Sequence, residues 1–281
     1  MTNIVFIAVL FAAACHAGWN ALIKVGLDPL ATTALISLGS GLVALILLPF
    51  VGTPAAAAWP YLIASVLIHL VYFAALIESY RTGDLGQVYP IARGAAPLMT
   101  AGVATAAVGE RLAAAGWAGI AALVTGVLLL SIRGGRNLVR IDKRAVGFAL
   151  FTAVTICTYS VVDGVGVRLA NNPVAYATWL FVGMAVIVVL YALVRGGPPV
   201  LTAMRQNALR GLAGGGFQVM SYGIALWAMS VAPIAIVAAL RETSVLFGAI
   251  IAVLVLKEPL RAARVAAAAL IVCGLVLIRL Q

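Results

Sequence analysis

Residues 30–50 read LATTALISLGSGLVALILLPF, a stretch without one charged side chain. An α-helix needs about 20 apolar residues to cross a hydrocarbon core of roughly 30 Å, so this stretch predicts a transmembrane helix. Comparable runs recur along the whole chain of 281 residues and predict an all-α integral membrane protein with ten transmembrane helices. The predicted crossings are residues 3–23, 30–50, 58–78, 86–108, 113–132, 145–167, 173–194, 207–228, 232–255 and 262–280.

The amino-acid composition also indicates a membrane environment. Hydrophobic residues make up 64% of the chain and charged residues 9%, whereas about a quarter of the residues in a soluble domain are charged. The net charge of +10 is spread over the loops that flank the helices and forms no basic domain. We therefore expect contacts with membrane lipids and no binding of nucleic acid.

The two halves of the chain resemble each other. Shifting the sequence by 148 residues places Arg93 on Arg241 and Glu110 on Glu258. A repeated unit of five crossings enters the bilayer from the opposite side in its second copy, because five is an odd number. The sequence therefore predicts two inverted five-helix repeats around a central cavity. The predicted repeats are residues 1–140 and 141–281.

The fourth helix carries an arginine at membrane depth, where a charged residue costs about 2.5–3.5 kcal/mol on the insertion scale. Tyr89 and Arg93 lie four residues apart on one face of this helix. Pro97 has no N–H to donate to the carbonyl group of Arg93, so we expect the helix to open there, as transporter helices do at binding sites. The alternative is a simple proline kink, with Arg93 extending towards the lipid headgroups.

The ninth helix repeats this pattern with Arg241, Glu242 and Ser244. Two guanidinium groups that face one cavity suit a ligand with a carboxylate or a phosphonate group. The alternative is that Glu242, Asp163 or Glu78 neutralises an arginine internally. That arrangement would make a gate or a strut without a ligand contact.

Four further helices carry polar or aromatic side chains on one face. Aromatic walls would hold an apolar side chain of a ligand, and amide and hydroxyl groups would orient a zwitterion. Each of these side chains alternatively forms only a hydrogen bond between helices. The predicted substrate-binding residues are His16, Trp19, Asn20, His69, Tyr72, Tyr89, Arg93, Tyr159, Asp163, Gln218, Ser221, Tyr222, Arg241 and Ser244.

The sequence leaves the mode of energy coupling open. It contains no Gly-x-x-x-x-Gly-Lys-Ser/Thr loop, which argues against ATP-driven transport, and we expect no cofactor. Asp163 or Glu78 would couple proton movement to transport if it is desolvated, whereas exchange and facilitated diffusion fit equally well. The predicted coupling or gating residues are Glu78, Asp163, Glu242 and Pro97.

The chain offers little for catalysis. It has two histidines, no apparent Ser-His-carboxylate set and no metal-ligand spacing, so we predict neither an enzyme nor a metal site. A channel and a receptor that transports nothing remain as rival classes to a transporter. A small-molecule substrate is therefore the expected partner, with a monomer as the expected state and a dimer as the alternative.

Several short motifs resemble the EamA-type, ten-helix branch of the drug/metabolite transporter superfamily. They are HAGWNALIK at 16–24, YP at 89–90, RG at 93–94, GERL at 109–112 and KEPL at 257–260. The resemblance implies two inverted five-helix repeats around a cavity that is lined by the first, third, fourth, sixth, eighth and ninth helices. It also implies a secondary transporter in a bacterial inner membrane, most similar to exporters of amino acids, including aromatic ones. The alternatives within the superfamily are an anionic metabolite such as an organophosphonate, or a drug or amine.

Two lines of reasoning disagree on orientation. Nearly all lysines and arginines of the connections follow odd-numbered helices, whereas Arg111, Arg168 and Arg279 lie on the other side. The positive-inside rule then places both termini outside, while the family resemblance implies cytoplasmic termini. We give slightly more weight to the charge distribution, because it is a property of this chain.

Overall fold

The computed structural model describes residues 1–23, 28–82, 85–132, 143–254 and 262–280. Within these ranges the chain forms eleven α-helices, one short 3₁₀ turn at Ala56–Ala58 and no β-strand. Ten of the predicted crossings are present as helices, and the ninth is divided in two. The helices are α1 Asn3–Ile23, α2 Pro29–Val51, α3 Trp59–Thr82, α4 Leu85–Ala107, α5 Ala114–Ile132, α6 Lys143–Leu169, α7 Pro173–Gln206, α8 Ala208–Val231, α9 Ile234–Arg241, α10 Ser244–Leu254 and α11 Ala262–Arg279.

The surface of the bundle is that of a membrane protein. Among the described residues, six helical stretches are long and apolar enough to span a bilayer, and Asn3–Trp19 and Ala114–Leu130 are shorter apolar helices. Large apolar side chains point outward, with Phe50 83% and Val194 84% exposed. Lipid solvates such side chains, because its tails are as apolar as they are. The predicted all-α integral membrane protein is confirmed.

Both chain termini lie at one end of the bundle. Arg279, at the end of α11, donates a hydrogen bond to the carbonyl group of Met1 (2.8 Å). At the same end, Asn172 at the start of α7 donates to the carbonyl of Val51 at the end of α2 (3.1 Å). We call this end the termini face; it carries the connections that follow α2, α4, α6 and α8. The opposite end is the loop face.

Helices at equivalent positions in the two halves pack against each other in opposite directions. On α5, a Cβ atom at Gly119 would lie 2.9 Å from the carbonyl oxygen of Gly274, and one at Gly126 would lie 2.8 Å from that of Ala267. Positions that rise along α5 thus meet positions that fall along α11, so the two helices are antiparallel. An inverted repeat predicts this pairing, but the division at residue 140 falls outside the described residues and stays a prediction.

Glycines allow α2 and α8 to approach until their backbones touch. A Cβ atom at Gly39 would lie 2.1 Å from the carbonyl oxygen of Gly211, and one at Gly215 would lie 2.2 Å from the backbone nitrogen of Ser40. Small residues at helix interfaces are typical of membrane proteins, in which close van der Waals contact drives helix association.

The seventh crossing continues beyond its predicted end. The sequence predicts a connection at residues 195–199, and the backbone is indeed non-helical there at Gly197, but helical structure resumes directly afterwards and α7 extends to Gln206. Gly197 has φ of +60°, a left-handed conformation that favours glycine. Helical backbone resumes after the kink with Pro198 and Pro199, which need no N–H partner at the first turn of a helix.

The break in a membrane helix occurs in the ninth crossing and not in the fourth. The expectation that α4 opens at Pro97 was wrong, because α4 is helical from Leu85 to Ala107. The ninth crossing instead turns at Glu242 and Thr243, between α9 and α10. The N–H of Thr243 donates to the backbone carbonyl of Leu240 (3.1 Å), and the N–H of Val245 donates to the backbone carbonyl of Glu242 (3.1 Å). Hydrogen bonds between residues three apart form the tighter 3₁₀ pattern.

Candidate functional site

The turn between α9 and α10 faces α4 in the centre of the bundle. The guanidinium Nε of Arg93 lies 2.8 Å from Oε2 of Glu242. Its Nη2 donates a hydrogen bond to the Ser244 hydroxyl oxygen (3.2 Å). The side chains of Arg93 and Glu242 are only 7% and 5% exposed. The sequence left two roles open for the arginines, a ligand contact and an internal ion pair. In this structure Arg93 forms the internal ion pair, with Glu242.

Arg241 has different surroundings from its counterpart Arg93. Its guanidinium carbon lies 4.7 Å from the centre of the Tyr222 ring, within the range of a cation–π interaction. Among the described residues, no carboxylate lies within 4 Å of this guanidinium and no hydrogen bond from it is found. Arg241 is nevertheless buried, with 9% of its surface exposed. Buried charges are normally in direct contact with an opposite charge, and among the described residues Arg241 has no such contact.

Asp163 is the second buried carboxylate of the centre and is 0% exposed. The hydroxyl group of Tyr176 donates a hydrogen bond to its Oδ1 (2.9 Å), and that of Tyr222 donates to its Oδ2. Tyr222 therefore connects two opposite charges, since its hydroxyl group contacts Asp163 and its ring face contacts Arg241. Hydrogen bonds from two phenol groups compensate the carboxylate for the water that it has lost.

Aromatic rings from three helices form one wall beside these charges. The ring of His69 stacks on that of Tyr159, with centres 4.2 Å apart and planes 26° from parallel. Tyr72 meets Tyr159 edge to face at 5.6 Å, and Tyr222 meets it at 5.9 Å. Ser65 holds the histidine in place, because its carbonyl oxygen lies 2.9 Å from Nδ1 of His69. The predicted polar faces of the third, sixth and eighth helices thus meet.

A small cavity lies between the two arginines. Its volume is about 10 Å³, which is room for roughly one water molecule. Helices α4, α6 and α9 and the Glu242 turn contribute its walls. A metabolite cannot fit into a space of this size, so the structure shows the centre in a closed form. The lining residues are Arg93, Ala96, Pro97, Thr100, Ile156, Tyr159, Ser160, Ala238, Arg241 and Glu242.

A larger groove of about 290 Å³ lies elsewhere, between α2, α7 and α8. Its walls are nearly all apolar and include Leu47, Phe181, Ile224 and Trp227. Thr178 and the indole of Trp227 are its polar side chains, and it has no charged group that would select a polar metabolite. The polar centre is therefore the better candidate for a transport site, although its cavity is smaller.

The first helix also approaches the arginines. His16 lies within electrostatic range of Arg93 and Arg241. Its ring packs edge to face on the ring of Trp19, with centres 5.0 Å apart. The indole Nε1 of Trp19 and the amide Oε1 of Gln218 are buried without a hydrogen-bond partner among the described residues. Buried polar atoms are rarely left in this condition, so each is a candidate contact for a ligand or a water molecule.

The remaining predicted site residues lie at varying distances from the centre. Ser221 is buried next to Tyr222 on α8. Pro97 lines the small cavity, whereas Glu78 lies half-buried near the end of α3 and does not line it. The side chains of Asn20 and Tyr89 lie outside the described residues.

Four residues of the centre were not predicted from the sequence. Tyr176 lies near the start of α7, where an aromatic residue suggests an interface anchor, and only the fold brings it to Asp163. Ser65 precedes His69 by four residues, a helical spacing that placed it on the same face. Thr100 and Ser160 line the cavity, but isolated hydroxyl residues in apolar helices give no distinctive signal.

Comparisons with known proteins bear on the fold and on part of the sequence. Residues 143–280 match the model of the EamA-like transporter family. A solved structure, described as "Crystal structure of protein", superposes with a TM-score of 0.75 at 16% identity, covering 99% of this chain and 96% of that one. No curated protein matches the sequence significantly. The structural likeness concerns the fold alone. The protein is a multi-pass, all-α membrane protein whose residues 143–280, just under half of the chain, match the EamA-like transporter family.

Proposed function

We propose that the protein exports amino acids with apolar or aromatic side chains, as a secondary transporter that works by alternating access through the central cavity. Arg241 supports the proposal most directly. Its buried guanidinium stacks on Tyr222 and has no carboxylate within 4 Å among the described residues. The carboxylate of a cargo molecule would supply this partner, as a charge-assisted and potentially bidentate hydrogen bond.

The balance of charge in the centre favours a zwitterion. Arg93 and Arg241 are matched by two buried carboxylates, Glu242 and Asp163. A zwitterion adds one charge of each sign and keeps this balance, whereas a phosphonate dianion or an amine would leave an uncompensated charge in a desolvated site. The carboxylate would bind Arg241, and the ammonium group would lie towards Asp163 on the other side of Tyr222.

The aromatic wall supports an apolar or aromatic side chain on the cargo. Stacked and edge-to-face rings of His69, Tyr72 and Tyr159 present flat apolar surfaces next to the charged groups. Aromatic pairs contribute about 0.5–1.5 kcal/mol beyond the area that they bury. Their arrangement would thus favour phenylalanine over glycine as cargo.

The proposal is tested by thermal stabilisation of the purified protein with three related compounds. Phenylalanine carries both charges, phenethylamine lacks the carboxylate, and 3-phenylpropionate lacks the amine. A ligand that binds the folded state stabilises it by RT ln(1 + [L]/Kd), about 2.7 kcal/mol at a hundredfold excess over Kd. We expect phenylalanine alone to raise the melting temperature. A shift with phenethylamine alone would indicate an amine exporter, and one with 3-phenylpropionate alone would indicate an anion transporter.

Arg241→Ala provides the matched protein variant. It should abolish the shift that phenylalanine causes, whereas Arg279→Ala, which removes an arginine from the termini face, should retain it. Saturable counterflow of labelled phenylalanine into proteoliposomes then separates a carrier from a channel or a receptor. If Arg241→Ala retains both the shift and counterflow, the assignment of this arginine is wrong.

A further inference from the structure

The turn between α4 and α5 carries a glutamate that the central site does not use. Gly109 ends α4 with φ of +78°, a conformation that favours glycine, and the N–H of Glu110 bonds back to the carbonyl of Ala104 (3.1 Å). The Glu110 carboxylate accepts hydrogen bonds from the N–H groups of Ile234 (2.7 Å) and Ala235 (3.2 Å). It therefore caps the start of α9, where the helix dipole favours a negative charge.

Arg168, at the end of α6, connects this cap to α8. Its Nη2 lies 2.6 Å from Oε1 of Glu110 and donates to the carbonyl of Ala232 (3.0 Å). Its Nε donates to the carbonyl of Met229 (2.9 Å). One guanidinium group thus binds the carbonyl end of α8 and the carboxylate that caps α9. We call Glu110 and Arg168 the ionic latch; it joins the ends of four helices at the termini face.

The helix that the latch holds fills the space between the termini face and the cavity. All eight residues of α9 are buried, from Ile234 at the latch to Arg241 at the cavity. A helix that is apolar and buried on every side is packed between other helices. By contrast, Ile250 on α10 is 44% exposed. The Glu242–Thr243 turn separates the two segments and is the place where a hinge between them would lie.

We propose that the ionic latch keeps α9 in this closed position, and that Glu110 and Arg168 must separate before the central cavity opens to the termini face. Both are positioning residues, since they act on Arg241 through α9 and do not line the cavity. The inference rests on the alternating access of the proposed function. It does not depend on which metabolite is carried.

The sequence indicates that the latch differs between the two halves. A shift of 148 residues places Glu110 on Glu258, but it places Arg168 on Asn20. Glu258 and the side chain of Asn20 lie outside the described residues. At the aligned position the arginine is thus present in one half only.

The test measures access to the cavity from each side of the membrane. Ser160, which lines the cavity, is replaced by cysteine in a chain whose three native cysteines, Cys15, Cys157 and Cys273, are alanine. A membrane-impermeant, negatively charged methanethiosulfonate is applied to intact cells and to inverted vesicles. Ala113→Cys, exposed in the α4–α5 turn, identifies which preparation presents the termini face.

Loss of the latch should open one face only. We expect Arg168→Asn and Glu110→Gln each to raise the rate of Ser160→Cys modification from the termini face about tenfold, because a hydrogen bond to a charged group shifts an equilibrium by at least that factor. The rate from the loop face should stay the same or fall. Arg168→Lys keeps the charge but not the forked contact. Its labelling rate from the termini face should lie between those of Arg168→Asn and of the chain with an intact latch.

Arg279→Ala is the matched control, because it removes a different arginine contact from the same face. If the latch variants label no faster than this control, or label faster from both faces equally, the latch does not gate the cavity. Melting temperatures of all variants identify any that are generally loosened. Because the assay uses no substrate, failure of phenylalanine to bind would overturn the proposed cargo and leave this result standing.

Discussion

Arg93 and Arg241 show how one residue type serves two purposes at equivalent positions. Arg93 is held by Glu242 and Ser244, whereas Arg241 contacts an aromatic face and lacks a carboxylate within 4 Å among the described residues. The first arrangement satisfies the charge within the protein, and in the second the proposed function assigns the charge to the carboxylate of a ligand. The difference arises because the turn at Glu242 points one carboxylate at α4.

The pair of Arg93 and Glu242 should be mainly structural. Arg93→Met leaves a buried glutamate without its partner, which costs about 3–5 kcal/mol. We expect Arg93→Met to lower the melting temperature strongly and the double variant Arg93→Met/Glu242→Gln to recover most of the loss, because neither charge then remains. Thermal unfolding in detergent measures both. If the double variant is no more stable than the single one, the ion pair is not what stabilises this contact.

The protein should lose stability when an acceptor oxygen of Asp163 is replaced. Asp163→Asn presents an amide NH₂ group to a tyrosine hydroxyl that now donates to a carboxylate, so we expect a loss of about 1–3 kcal/mol. Tyr176→Phe removes one donor and should cost about 1 kcal/mol. The double variant Asp163→Asn/Tyr176→Phe should lose less stability than the sum of the two single variants, since both changes affect one contact. Additive costs would show that Tyr176 and Asp163 act independently.

At the scale of helices, the bundle depends on glycines at close contacts. Gly215 faces the backbone of α2, where a Cβ atom would lie 2.2 Å from Ser40, while nothing lies within 4 Å of a Cβ atom at Gly216. We expect Gly215→Ala to lower the melting temperature and Gly216→Ala to change it little or raise it slightly. The two neighbours share a helix and differ in what they face. Equal effects would indicate that helix propensity, and not contact with α2, decides the outcome.

The ninth and fourth crossings differ in whether the helix is interrupted. The ninth crossing carries Arg241 and Glu242 at a 3₁₀ turn, so the charged side chains lie where the helix is interrupted. The fourth crossing has a proline at membrane depth and stays helical, because neighbouring helices can satisfy the backbone that a proline leaves free. A proline is thus neither needed nor sufficient for a break.

At the scale of the whole molecule, we predict that both termini lie on the same side of the membrane. Ten crossings separate them, and Arg279 contacts Met1. Topology reporters fused to either terminus should therefore give the same answer. A reporter inserted into the connection at residues 133–142 should give the opposite one. The distribution of lysine and arginine predicts that the termini are outside. A cytoplasmic signal from both would mean that the latch faces the cytoplasm.

The sequence alone determined the membrane environment, the number of crossings and most of their bounds, because a bilayer accepts only apolar stretches of a defined length. It also selected Arg93, Asp163, Tyr222 and Arg241, since buried charged and polar groups in membrane helices are costly and therefore conspicuous. These properties are local, so they can be read from a few consecutive residues.

The tertiary structure decided which of these groups are partners. Glu242 makes its direct ion pair with Arg93, Tyr176 reaches Asp163 from another helix, and Glu110 caps a helix more than a hundred residues further along the chain. Such contacts depend on how helices are rotated and how closely they approach. Those two quantities are set by side-chain fit across the entire bundle, and no local pattern encodes them.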